Sequence, residues 1–239
     1  MYCLISRRFS ISPWLVLLLV ASFPRVGQAG SIVIGFVGGF VAHDNPIHHE
    51  VQVAAHLRKD YAGSLQVIMF ANHRGEEARQ EVLRLLDTDR DGRLSAEEKS
   101  QARIAIYGHS WGASEAVTLA RALARDQIPV LLTIQVDSVR KPGEDDSSIP
   151  TNVLQAVNFY QSDGLLHGRS SIRAADNSRT QILGNFQSEY RDKPVSCDGY
   201  SWFARTFMKP HIEIESDPAV WEQVESLIRA KLGLTPGSK

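Results

Sequence analysis

The chain has 239 residues, 43% of them hydrophobic, and is therefore long enough to bury one substantial core. Its 26 lysines and arginines nearly balance its 27 aspartates and glutamates. This balance excludes the strongly basic composition typical of nucleic-acid-binding proteins, and the sequence indicates no nucleic-acid partner and no protein partner.

Residues 1–29 have the features of a signal peptide. Arg7 and Arg8 form a positive end, residues 14–23 are apolar, and Gly27-Gln28-Ala29 provides small residues for cleavage. The apolar stretch is too short for a stable transmembrane anchor. We therefore predict an exported protein, periplasmic or secreted, whose folded domain covers residues 30–239.

Short apolar runs alternate with helical patterns through this domain. The apolar runs predict five strands, and the helical spacing predicts helices after several of them. The strands are expected at residues 31–37, 65–70, 104–107, 129–136 and 153–160, and the main helices at residues 49–61, 113–126 and 218–232. Such alternation predicts an α/β fold, doubly wound, with a mostly parallel sheet and helices on both faces.

The pentapeptide at residues 108–112, Gly-His-Ser-Trp-Gly, matches G-x-S-x-G. A predicted strand enters it and a predicted helix leaves it. In this context the motif indicates a nucleophile elbow, a sharp turn that exposes the serine above the sheet. The following N–H, that of Trp111, would then lie where an oxyanion forms. The alternative without a catalytic role is a glycine-rich turn in which Ser110 caps the helix.

An activated serine needs a base to take its proton and a carboxylate to orient that base. In chain order the candidates are Ser110, Asp137 and His211. Asp137 follows the fourth predicted strand, and the carboxyl ends of parallel strands are where open sheets place their sites. His211 lies in a predicted loop just before the last helix.

The motif at residues 108–112 and the order Ser, Asp, His resemble the α/β-hydrolase superfamily of lipase- and esterase-like serine hydrolases. The resemblance covers most of residues 31–234. It implies that Ser110 is the nucleophile, His211 the base and Asp137 the acid. A strand expected before the histidine in this superfamily is not evident in the sequence directly upstream of His211.

The resemblance also bears on the oxyanion site and on the choice of acid. It implies that the second oxyanion N–H, besides that of Trp111, comes from Gly39 or Phe40 in the loop after the first strand. The acid in this superfamily more often follows the next strand, which nominates Asp163 as the alternative to Asp137. An aspartate before a glycine is also common in ordinary turns.

Other histidines compete for a role in the site. His109, inside the elbow, is expected to point away from Ser110 and to be packed in the core. His43, His48 and His49 follow the oxyanion loop. No Cys, His and carboxylate spacing there matches a zinc site.

Residues 87–98 match the twelve-residue calcium loop of an EF-hand. Gly92 occupies the sharp turn and Leu94 offers an apolar anchor. The remaining oxygens fall at the six liganding positions. These predicted Ca²⁺ ligands are Asp87, Asp89, Asp91, Arg93 through its carbonyl, Ser95 and Glu98.

The calcium loop lies in a predicted insertion at residues 76–101, between the second strand and the elbow strand. An entering helix precedes it, but the exit helix is short and no second loop exists in the sequence. We therefore expect Ca²⁺ to act as a structural clip, because EF-hand switches use two full helices. A regulatory role remains an alternative.

The sequence as a whole predicts an exported serine hydrolase that cleaves a carboxylic ester or thioester of a small molecule or lipid. Two alternatives stay open. One is a calcium-dependent binding protein that keeps the hydrolase scaffold without catalysis, because fold alone does not determine function. The other is a peptidase or amidase that uses the same triad. The distance between His211 and Ser110 discriminates the binding protein from the enzymes.

Overall fold

The computed structural model describes residues 30–234. The predicted signal peptide lies outside the described residues and stays a prediction. Among the helices of residues 30–234, none combines the length and apolar character needed to cross a membrane.

The described chain alternates strands and helices around one main sheet. The strands are β1 (Ser31–Val37), β2 (Leu65–Ala71), β3 (Ile104–His109), β4 (Val130–Val136), β5 (Ser148–Ile149), β6 (Val153–Tyr160), β7 (Arg173–Ala174) and β8 (Gln181–Gln187). The helices are α1 (His49–Asp60), α2 (Gly75–Leu86), α3 (Ala96–Ser100), α4 (Trp111–Arg125), α5 (Trp202–Phe207), α6 (Lys209–Ser216) and α7 (Pro218–Leu232).

The main sheet has six strands in the order β2-β1-β3-β4-β6-β8, and every pairing in it is parallel. The chain moves outward from β1 to β2 on one side and from β3 to β8 on the other. The order therefore reverses between β1 and β3, and the crevice above such a switch point is where open α/β sheets bind ligands. Short β5 and β7 pair separately.

Two apolar layers cover the sheet. Alternate side chains of each strand point to opposite faces, so β1 contributes Val33 to one layer and Ile34 to the other. Helices α1 and α7 cover the first face and α2 and α4 the second. This is the predicted doubly wound, α/β-hydrolase-like fold.

The five predicted strands and the three main helices are confirmed within a few residues. The last helix begins after Asp217, whose side chain accepts a hydrogen bond from Ala219 N–H, and ends at Gly233 in a left-handed conformation. Capping residues marked these ends in the sequence.

Two parts of the sequence analysis need correction. The sixth strand of the main sheet, β8, was not predicted. It lies at residues 181–187, farther upstream of His211 than the stretch directly before that histidine. It is a partly exposed edge strand rich in Gln and Asn, so its apolar pattern is weak. His211 lies inside helix α6 rather than in a loop, because Pro210 occupies the first turn of that helix.

Candidate active site

Ser110 occupies a strained turn between β3 and α4. Its backbone has φ 55° and ψ −125°, a combination that residues other than glycine rarely adopt. A Cβ at Gly108 would lie 2.4 Å from the Gly112 carbonyl, and one at Gly112 would lie 2.4 Å from the Phe36 carbonyl. Both glycines of the motif are therefore required by close backbone approach, as expected for a nucleophile elbow.

The structure brings Ser110, His211 and Asp137 into one hydrogen-bonded chain. Ser110 Oγ lies 3.0 Å from His211 Nε2, and His211 Nδ1 lies 2.6 Å from Asp137 Oδ2. All three side chains are buried. When Nδ1–H is donated to Asp137, Nε2 is left as an acceptor for the serine proton, which is the arrangement an activated serine needs.

Asp137 sits in a fixed, fully buried environment at the end of β4. Its Oδ1 accepts from Gly168 N–H at 2.8 Å, and its Oδ2 accepts from the side-chain amide of Gln161 at 2.8 Å. Burial alone would raise the pKa of Asp137, but hydrogen bonds from His211 and Gln161 hold it below its ordinary value. Asp137 is therefore held as a carboxylate against the imidazole. Gln161 and Gly168 were not predicted as site residues.

The alternative acid, Asp163, contacts neither His211 nor Ser110. Its carboxylate lies 3.6 Å from Arg191, and its N–H donates to Gln161 Oε1 at 2.8 Å. It acts as a turn residue that helps to orient Gln161. The residue placed to orient His211 is therefore Asp137.

The loop after β1 borders the same cavity as the nucleophile. Gly39 and Phe40 line this cavity together with Ser110. The Gly39 carbonyl accepts a 2.5 Å hydrogen bond from the Asn72 side chain, which fixes the orientation of the loop. The Phe40 ring is 97% exposed and contacts the Trp111 ring edge-on at 5.6 Å between ring centres. Two of the three predicted oxyanion residues, Gly39 and Phe40, thus line the cavity with Ser110, and the third, Trp111, follows Ser110 in the chain and contacts Phe40.

The cavity beside Ser110 has a volume of about 270 Å³. One wall is apolar, and Ala204, Met208 and Ile212 contribute to it from α5, its C-terminal flank and α6. Three aromatic side chains of α5 stay largely exposed beside this wall: Trp202, Phe203 and Phe207. An apolar cavity next to a nucleophile suits an apolar acyl or alcohol group better than a charged one.

The opposite wall is polar and was not predicted. His109 was expected to point away from Ser110; it is buried, but it lines the cavity, and its ring lies 4.6 Å from that of His211. Glu215 Oε2 lies 3.4 Å from His109 Nδ1, and Glu215 Oε1 hydrogen-bonds His48 Nδ1. Glu215 lies one helical turn after His211 and so shares its face of α6, but no sequence signal indicated it, because His211 was predicted to lie in a loop.

The three aspartates of the predicted calcium loop lie together. Asp87, Asp89 and Asp91 each present a carboxylate oxygen within 4.8 Å of the others. The loop turns through Gly92 at φ 80°, and Leu94 packs against the core as anticipated. Hard carboxylate oxygens at this spacing fit a calcium ion.

Glu98 fits the calcium site less directly. One of its oxygens accepts from Thr88 N–H at 2.7 Å, and the other accepts from Ser95 N–H at 3.0 Å. The Ser95 N–H, followed by the groups of Thr88, lowers the pKa of Glu98 to about 2. Glu98 is thus ionised and bound across the loop. Its carboxylate would have to release these donors to bind an ion bidentately.

Comparisons with known proteins give only distant similarity. No family model matches the chain, and no curated protein matches it. The chain is similar in structure to a cutinase-like protein from Cryptococcus sp., at 14% identity and TM-score 0.44, over 85% of this chain and 95% of that one. It is also similar to the thioesterase RedJ from the prodiginine biosynthetic pathway in Streptomyces coelicolor, at 11% identity and TM-score 0.41, over 95% and 100%.

Human thioesterase 2 is similar at 11% identity and TM-score 0.42, over 85% of this chain and 97% of that one. Scores this low carry no argument about activity. The strand order of the sheet and the elbow at Ser110 define the fold.

Proposed function

We propose that this protein is a serine hydrolase that cleaves a carboxylic ester or thioester. The observation that carries the proposal is the chain of hydrogen bonds from Ser110 through His211 to Asp137, at 3.0 and 2.6 Å, on a strained elbow. A glycine-rich turn that only capped a helix would not need this geometry. The Ser110 side chain also makes no capping hydrogen bond to α4.

Acylation begins when Ser110 Oγ attacks the substrate carbonyl carbon while His211 Nε2 takes the hydroxyl proton. Asp137 stabilises the imidazolium that forms. The tetrahedral intermediate collapses as the carbon bond to the leaving oxygen or sulfur breaks, and His211 returns the proton to the departing alcohol or thiol. Water, activated by the same histidine, then releases the acid and restores Ser110.

The oxyanion of the intermediate needs preorganised N–H donors. We assign this role to Trp111 and to Gly39 or Phe40. Trp111 is the first residue of α4, and the first N–H groups of a helix lack partners within it. Gly39 and Phe40 border the same cavity. Loss of one such donor typically costs about 10²–10³ in kcat.

The apolar wall of the cavity supports a small-molecule or lipid ester as the substrate class. A volume of about 270 Å³ accommodates an acyl chain of modest length. We further propose that the protein is exported, on the basis of the signal-peptide features of residues 1–29.

We also propose that Asp87, Asp89 and Asp91 hold a structural Ca²⁺, with Glu98 completing the site. Calcium would supply a positive charge that offsets the repulsion between three neighbouring carboxylates. The loop runs into α3, which precedes the start of β3, whereas Ser110 follows the end of β3. A six-residue strand spans about 20 Å, so the ion would act on stability and not on the reacting atoms.

The test compares the wild-type protein with Ser110→Ala on p-nitrophenyl esters and acyl thioesters of increasing chain length. We expect turnover by the wild type, with a preference for short to medium acyl chains, and no enzymatic turnover by Ser110→Ala. Equal rates for the two proteins would refute the proposal. The melting temperature of each protein shows whether the variant keeps its fold.

A further inference from the structure

A second group of buried donor atoms lies beside the triad. His48 precedes α1, Glu50 lies in the first turn of α1, and Glu215 lies in the last turn of α6. Each offers one ligand atom, and these atoms all lie within 4.8 Å of one another. All three residues are more than nine-tenths buried, with exposures of 7%, 0% and 4%.

Glu50 is the feature that indicates a missing ligand. Its side chain is fully buried, and neither carboxylate oxygen makes a hydrogen bond of good geometry within residues 30–234; its polar neighbours are the backbone N–H groups of Glu50 and Gly38 and the Glu215 carboxylate. Burying a polar group without a partner destabilises the fold, and native proteins rarely tolerate it. A second buried carboxylate, that of Glu215, lies within the same cluster and is already hydrogen-bonded to His48 Nδ1, so Glu50 is the carboxylate of the cluster that lacks a counter-charge.

We propose that His48, Glu50 and Glu215 form a binding site for a divalent transition-metal ion of the Zn²⁺ type. One imidazole nitrogen and two carboxylate oxygens are a donor set that zinc and its neighbours accept, whereas Ca²⁺ and Mg²⁺ prefer oxygen ligands alone. A single divalent cation would offset the charge of both carboxylates and give Glu50 a partner.

The surroundings of the cluster also suit a metal ion. His109 Nδ1 lies 3.4 Å from the second oxygen of Glu215, a contact of the kind that orients a ligating carboxylate. His48 and Glu215 line the cavity that contains Ser110. Three protein ligands leave a further coordination position on the metal ion. This site shares no residue with the calcium loop at residues 87–98.

The competing occupant is a proton shared between the two carboxylates. Burial, followed by the charge of Glu215, raises the pKa of Glu50 well above its ordinary value. Glu50→Gln separates the two cases. Glutamine resembles a protonated glutamate in size and hydrogen bonding, so it preserves a proton-bridged pair but removes a metal ligand.

The experiment titrates metal-free protein with Zn²⁺ by calorimetry and with Co²⁺ by visible absorption, in excess Ca²⁺ so that the acidic loop is filled. We expect one Zn²⁺ per chain, a Co²⁺ absorption spectrum of a protein-bound ion, and a higher melting temperature with Zn²⁺. Glu50→Gln and His48→Gln should each weaken binding by at least about tenfold.

The control is Glu213→Gln, which changes another buried glutamate of α6 outside the cluster and should leave Zn²⁺ binding unchanged. Zn²⁺ binding by Glu50→Gln as tight as by the wild type would overturn the proposal, as would no binding by the wild type. His48→Gln keeps the test decisive if Glu50→Gln does not fold. These readouts do not depend on Ser110, so they are independent of the proposed hydrolase activity.

Discussion

His211 Nε2 lies 3.0 Å from Ser110 Oγ although 101 positions separate the two residues in sequence. The position of His211 is fixed from several directions. Its ring packs at 4.6 Å against that of His109, the residue directly before Ser110. Helix α6 is held to α7 by a 2.6 Å hydrogen bond from Trp221 Nε1 to the Glu215 carbonyl. Such fixed contacts preorganise a base for proton transfer.

Replacing Asp137 tests the assignment of the acid. Asp137→Asn should lower kcat by about 10³–10⁴, because the imidazole loses the partner that sets its tautomer and stabilises its charge. The matched control is Asp163→Asn, which should keep activity within about threefold of the wild type, since Asp163 contacts Arg191 and not His211. A larger loss in Asp163→Asn than in Asp137→Asn would reverse the assignment.

The depressed pKa of Asp137 predicts a pH dependence of stability. A carboxyl whose pKa is lower in the folded state stabilises the fold above its unfolded pKa of about 3.9, and that contribution disappears as pH falls further. The difference in unfolding free energy between the wild type and Asp137→Asn should therefore shift against the wild type below pH about 4. Urea titrations from neutral to acid pH measure it. A difference that does not change with pH would contradict the hydrogen-bonding pattern.

The strained backbone of Ser110 predicts a gain in stability when its side chain is removed entirely. Ser110→Gly and Ser110→Ala both abolish the nucleophile, but only glycine adopts φ 55° and ψ −125° without strain. Strain at such a position is of the order of 1–3 kcal/mol, partly offset by the greater chain entropy of glycine when unfolded. Ser110→Gly should be more stable than Ser110→Ala by about 1 kcal/mol in chemical denaturation. Equal stability would indicate a relaxed turn.

Calcium should raise the melting temperature through the aspartates of the acidic loop. With a dissociation constant of about 10⁻⁴ M, 1 mM Ca²⁺ would stabilise the protein by about 1.4 kcal/mol, or a few degrees. Asp87→Ala should abolish this shift. The control Asp176→Ala changes a loop aspartate that holds Ser178 N–H outside the acidic loop, and it should keep the shift. Identical melting curves of the wild type with Ca²⁺ and with chelator would contradict a structural role for Ca²⁺ in this loop.

Much of the fold could be predicted from local signals in the sequence. The buried strands are continuous runs of β-branched and other apolar residues, and the ends of α7 carry Asp217 and Gly233 as capping residues. The edge strand β8 lacked such a signal, because one side of an edge strand meets solvent and its residues are polar.

The polar part of the site could be predicted only where chain order and strand ends determine position. Ser110 and Asp137 follow neighbouring strands β3 and β4, so their proximity follows from the parallel sheet. The cluster of His48, Glu50 and Glu215 depends on how α1 packs against α6, and no spacing in the sequence encodes that contact. A metal site at these three residues was therefore not predicted.

Labelling of the purified protein with a fluorophosphonate probe, followed by peptide mapping, would show directly whether Ser110 is an activated nucleophile. An activated serine reacts with such a probe and an ordinary surface serine does not. We predict one label, on Ser110, absent in Ser110→Ala and strongly slowed in His211→Ala. No label on the folded wild-type protein, or an equal rate of labelling when His211 is removed, would contradict the account of Ser110 as a nucleophile activated by His211.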